Sequence, residues 1–233
     1  MAITATFRGS GNSTNQSSSI AFSPTSDFTA NSYAVLIFAW YSSDVTINSV
    51  TDTDGNTWTQ RAYETGGTTT QGTIGIYTCD SVSLTTADTI TVSMANQREA
   101  KMAFLYEVVG DSPITYVSSG TDAFSSNGTI TTSSIATGNI VIGANRRDSN
   151  AAPTDDSDTT NGNWSTSENA YSGLSSPNSR RSYINSQYKI VTGSGTQTYN
   201  ITTGANGCIA YIELAESTAA TFDPLGTLGF FGI

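Results

Sequence analysis

One tryptophan and one glutamate each recur after the same interval: Trp58 and Trp164 stand 106 residues apart, and so do Glu107 and Glu213. A shared offset between unrelated landmarks marks an internal duplication, which restricts the chain to a fold whose unit fits in about half its length. The segments between the landmarks correspond in order. Ile3 to Ser23 (ITATFRGSGNSTNQSSSIAFS) matches Ile114 to Ser134 (ITYVSSGTDAFSSNGTITTSS), each reading as a strand, a Gly/Ser/Asn loop and a second strand. Tyr33 to Trp40 (YAVLIFAW) matches Gly138 to Asn145 (GNIVIGAN), and Asp54-Gly55-Asn56-Thr57-Trp58 matches Asn161-Gly162-Asn163-Trp164. Ile74 to Cys79 answers Tyr183 to Ile190, Thr89 to Met94 answers Thr198 to Thr203, and Met102 to Val108 answers Cys208 to Leu214.

Each copy holds about eight runs with period-2 alternation, such as Thr89 to Met94, bounded by Gly, Asn, Asp and Ser. That periodicity is the signature of half-buried strands. The expected fold class is all-β: two tandem, internally duplicated antiparallel β-sandwiches, jelly-roll-like, with a C-terminal extended tail. The expected units are residues 1–110, residues 111–215 and an apolar tail or arm at 216–233, the first two joined near Gly110-Asp111-Ser112-Pro113. The alternative is one large sandwich whose copies pair edge to edge. Tyr33 to Tyr41 and Lys101 to Val109 are nearly continuous in apolar residues, as central strands covered on both faces are. Ala151 to Asn163 and Gly173 to Ser179 read as loops, the first kept in solvent by Asp155, Asp156 and Asp158.

Nine basic against nineteen acidic residues give a net charge of -10. Such a surface repels phosphate backbones and anionic lipid, so neither nucleic acid nor membrane is an expected partner. The start, MAITATF, has no basic and apolar leader pattern, and no apolar run is long enough to span a bilayer. The two cysteines, Cys79 and Cys208, both sit in apolar strand-like runs and read as buried thiols.

The chain contains no histidine, which removes Ser-His-Asp and Cys-His catalysis and nearly every zinc or copper site. Four chemical leads remain. Ser186-Gln187-Tyr188-Lys189 spells S-x-x-K, but the run alternates like a strand, and that chemistry needs both residues on one helical turn. Asp52-Thr53-Asp54-Gly55-Asn56 resembles the start of a calcium loop, yet its glycine falls at the fourth place instead of the sixth and the twelfth is Tyr63. A hairpin turn accounts for it better. Glu107 and Glu213 could pair as glycosidase carboxylates, but equivalent residues of two copies lie in two equivalent places; pairing with Arg61 or Lys101 is expected instead. Trp58, Trp164, Tyr63 and Tyr171 could stack sugars, against the expectation that the two tryptophans plug their sandwiches. No enzyme activity, cofactor or metal is expected.

Ser49 to Trp58 (SVTDTDGNTW), followed by Ile76-Tyr77 and by Ala103 to Gly110 (AFLYEVVG), resembles a group of Ser/Thr-rich proteins from the structural gene modules of tailed bacteriophages and from bacterial genomes. Their shared pattern is roughly S-V-T-D-x-x-G-N-x-W, a short strand ending in Tyr, and a Y-E-F/V-x-G strand. The resemblance implies a β-sandwich virion protein: a head decoration (cement) protein, a knob or a fibre module, located on the particle after synthesis in the host cytoplasm. Its partners would be capsid or other virion proteins and further copies of itself, as a trimer or dimer. The alternatives are a fibre or receptor-binding module taking host glycans, with Tyr171, Arg180 and Arg181 at the contact rim, and a bacterial surface adhesin or filament subunit. Phe222, Leu225, Leu228, Phe230, Phe231 and Ile233 make the tail too apolar for a solvated linker, and an assembly arm is expected there.

Overall fold

The computed structural model describes residues 3–42, 46–66, 72–149, 151–173, 181–202 and 204–217. The expected tail residues and Arg180 lie outside these ranges. Eight strands come from the first copy: β1 (Thr4–Ser13), β2 (Ser17–Phe22), β3 (Ser32–Trp40), β4 (Ile47–Asp52), β5 (Thr59–Thr65), β6 (Thr73–Val82), β7 (Ile90–Arg98) and β8 (Lys101–Val109). Seven come from the second: β9 (Ile114–Phe124), β10 (Asn127–Ile135), β11 (Ile140–Arg147), β12 (Glu168–Gly173), β13 (Arg181–Ile190), β14 (Gly195–Thr202) and β15 (Gly207–Glu216). The fold is all-β and every ladder is antiparallel.

The first copy forms a sheet of order β1-β8-β3-β6-β5 and a smaller one of order β2-β7-β4. This is jelly-roll order, except that β5 joins β6 instead of extending the small sheet beside β4. The second copy repeats it: β9-β15-β11-β13-β12 in the large sheet and β10-β14 in the small one. The place of β4 is taken by an irregular segment whose backbone forms a β-bridge to β14, Thr154 to Thr202.

The two large sheets pack face to face. Val35, Ile37 and Ala39 of β3, Phe104 and Tyr106 of β8, Ile142 and Ala144 of β11, and Ala210 and Ile212 of β15 share one core. Alternate residues of the same strands face outward into two further cores beneath the small sheets: Leu36, Phe38, Trp40 and Leu105 on one side, Val141, Ile209 and Tyr211 on the other. That four-layer arrangement explains why all nine residues of β3 are buried. A strand covered on both faces reads as a nearly continuous apolar run, as β3 does. No ladder joins a strand of one copy to a strand of the other among the described residues, so the copies meet by their faces and not by their edges.

The facing is reciprocal. Across the interface β1 lies against β12, β8 against β12 and β13, and β3 against β13 and β11; in return β9 lies against β5, β15 against β5 and β6, and β11 against β6. Exchanging the copies maps this pattern onto itself, as in an isologous dimer whose axis passes between β3 and β11.

Candidate functional site

The structure gives most of the leads read from the sequence a structural explanation. Ser186 of β13 faces the shared core, where its hydroxyl bonds the Tyr106 hydroxyl, whereas Lys189 faces the outer layer and donates to Asp158 at 2.9 Å and to the Thr160 carbonyl at 2.8 Å. The two residues of S-x-x-K therefore lie on opposite faces of one sheet. Asp52 closes its own turn. Its carboxylate accepts from the Asn56 backbone N–H at 3.1 Å, from the Asn56 amide and from the Trp58 indole N–H at 2.7 Å, while Gly55 takes the left-handed φ of 75° that the turn requires. Those bonds fix Trp58 against the outer core of the first copy, and Trp164 sits at the matching place in the second, 4.8 Å from the Tyr199 ring.

Glu107 and Glu213 occupy equivalent ladder positions, but the expected partners are wrong. Arg8 pairs with Glu107, its Nε donating at 2.8 Å, and the Thr29 backbone N–H donates to the other carboxylate oxygen. Arg8 is the extra residue of a bulge between Phe7 and Gly9, which turns its side chain out of the strand's alternation. Lys101 instead donates to the carbonyls of Asn15, Ser17 and Arg98 at 2.9, 3.0 and 2.7 Å. Arg61 donates to the Thr78 hydroxyl at 2.9 Å. Glu213 has neutral partners, the Ser118 hydroxyl at 2.7 Å and the Asn139 amide at 2.6 Å.

The acids of residues 151–163 do not simply keep that loop in solvent. Asp156 is buried and accepts from the Asn200 backbone N–H at 2.6 Å, while Gln187 exchanges bonds with the backbone of Asp156. Asp158 is held below the usual carboxylate range by its bond to the Lys189 ammonium. The loop thus replaces β4 with a polar network against sheet β9-β15-β11-β13-β12. Cys79 and Cys208 are free and buried in different cores. At the rim, Tyr171 is 40% exposed with its ring 6.3 Å from that of Tyr183, and Arg181 begins β13 in register with Gly173.

Sequence reading passed over the two seams where the edges of the large sheets meet. At the β5/β9 seam, Arg61 lies 4.4 Å over the Tyr116 ring, the Ser119 hydroxyl donates to the Arg61 carbonyl at 2.6 Å, and Thr121 donates to Glu64 at 2.8 Å. At the β1/β12 seam there is an open cleft of about 360 Å³ lined by Ala5, Thr6, Phe7, Tyr106, Ser165, Thr166, Glu168 and Tyr188. Desolvation pushes the Glu168 carboxyl upward. Only the three-dimensional stacking of the copies brings these residues together.

Comparison with protein-family models, with curated proteins and with solved structures finds no match to this chain.

Proposed function

We propose that the chain is a non-enzymatic surface protein of a tailed-phage particle, a head decoration protein that binds the assembled capsid and reinforces it. The observation that carries this reading is the contrast between body and tail sequence. Among the described residues only Val117 and Tyr171 are large hydrophobics left exposed, whereas the sequence beyond Glu216 carries Phe222, Leu225, Leu228, Phe230, Phe231 and Ile233. A closed, acidic body is suited to stay dispersed at high copy, and an apolar arm is suited to dock on a neighbour. β1 is hydrogen-bonded to β8 from Thr4 to Ser13 along one edge, as the outermost strand of its sheet. Glu216 roots the arm beside the linker between the copies, where its carboxylate accepts from the Asp111 backbone N–H and the Ser217 N–H donates to the Pro113 carbonyl at 2.8 Å.

The exposed Tyr171 at the rim favours a second reading, a receptor-binding module for host glycans. Cryo-electron microscopy of purified particles separates the two. Density distributed over the capsid shell, with the residues after Glu216 buried on a neighbouring subunit, supports decoration. A few copies at the tail tip with Tyr171 facing outward overturn it.

A further inference from the structure

The two seams are equivalent by the exchange of copies, and their residues can be matched through the ladders. Ala62 pairs with Ile76 and Glu168 with Ser186; Phe7 pairs with Tyr106 and Ser119 with Ile212; Ala5 pairs with Val108 and Tyr116 with Leu214. With the 106-residue offset of Trp58 and Trp164, Ala62 thus corresponds to Glu168, Ile76 to Ser186, Ile212 to Tyr106 and Arg61 to Ser167. At the closed seam Ala62, Ile76 and Ile212 are apolar members of the shared core. Its remaining space is filled by the Arg61 side chain, stacked on Tyr116 and bonded to Thr78. At the open seam the same three core positions carry a carboxylate and two hydroxyls, and the arginine's counterpart is a serine.

We propose that the open seam is a binding site for the guanidinium group of an arginine side chain presented by a partner polypeptide. The place that the chain's own arginine fills in one seam is vacant in the other and is lined by the complement of that group. Phe7, Tyr106 and Tyr188 supply aromatic rings, to which guanidinium is attracted. Among the described residues, the Glu168 carboxylate has no hydrogen bond or ion pair and no basic side chain lines the cleft. A partly desolvated carboxylate without a partner weakens the fold, and a bidentate arginine is its strongest match. The net charge of -10 also favours a cationic ligand over an anionic one. The inference does not depend on which particle or surface the protein occupies.

The test is an NMR titration of the full chain with N-acetyl-arginine methylamide, using the citrulline counterpart as an uncharged control and free arginine as a small-metabolite control. The arginine probe should shift the amides of Phe7, Thr166, Glu168 and Tyr188, the citrulline probe should not, and free arginine should bind no more tightly than the blocked form. Glu168→Gln should weaken the probe about tenfold, the loss expected for a charge-assisted hydrogen bond, without lowering the melting temperature. Ser167→Arg should abolish probe binding by filling the cleft as Arg61 fills its counterpart. The proposal is overturned if millimolar probe leaves these amides unmoved, if citrulline binds equally, or if Glu168→Gln binds as well as the parent. Tighter binding of free arginine would overturn the assignment to a polypeptide side chain.

Discussion

Removing either member of the Arg8–Glu107 pair should have unequal consequences, because the two ends are buried to different degrees. The Glu107 side chain is 1% exposed and that of Arg8 is 18% exposed. Arg8→Ala strips the carboxylate of its cationic partner and leaves it in the first copy's interior with one backbone donor, from Thr29. A buried charge deprived of its partner costs about 3–5 kcal/mol. Glu107→Gln keeps an acceptor for the Thr29 N–H. It also leaves Arg8 bonded to the Ser26 hydroxyl at 2.7 Å, 5.8 Å from the Phe28 ring and in reach of water. That loss should be about 1–2 kcal/mol, the difference between a charged and a neutral hydrogen bond. Urea unfolding followed by tryptophan fluorescence and by circular dichroism measures both, provided the two probes give coincident transitions. Equal losses for the two variants, or a loss below about 1 kcal/mol for Arg8→Ala, would refute the assignment of the pair as a buried clasp.

Gly143→Ala should destabilise the protein by about 1–3 kcal/mol in the same assay, because its new methyl would stand 2.6 Å from the Tyr199 ring in a filled core. Asp52→Ala should cost about 1–3 kcal/mol by leaving the Asn56 and Trp58 N–H groups without their acceptor, with a shifted Trp58 emission. If the Asp52 turn is structural, neither calcium nor EDTA should move the parent's melting temperature. Burial pushes the Cys79 thiol up to about 11 and the Cys208 thiol up to about 12. Thiolate is the reactive form, so a disulfide reagent at neutral pH should react with neither cysteine until urea unfolds the chain; prompt modification of the native protein would contradict the burial.

Most of the strands in each copy were legible because alternation and turn residues are local signals, whereas the joining of β5 to β6 and the loss of a strand at the β4 place of the second copy were not. The continuous apolar runs at β3 and β8 announced a second covered face, but they did not say what covers it. The covering layer is the other copy, and a face-to-face contact leaves no period in the sequence beyond the one each strand already has. Arg8 as the partner of Glu107 was hidden for a different reason. The bulge at Phe7/Gly9 breaks the alternation that would otherwise have placed its side chain. The acids at 155–158 look like a solvated loop by composition, yet Asp156 is drawn in by the Asn200 N–H, and the part-exposed Asp158 caps the buried Lys189 ammonium. Composition cannot anticipate a network whose members lie about thirty to forty-five residues apart. The cleft at the open seam was invisible for the same reason as the covering layer, since β1 and β12 are neighbours only in the folded stack.

A true homodimer built on this interface would be obliged to carry two identical seams, because any substitution in its gene appears on both sides of the axis at once. Fusing the two halves into one chain releases that obligation. A change at Ser167 or Glu168 alters one side only, while Arg61 and Ala62 go on locking the other. The duplicated gene can therefore hold its halves together with one edge and specialise the opposite edge, a division of labour that symmetry forbids to two separate copies.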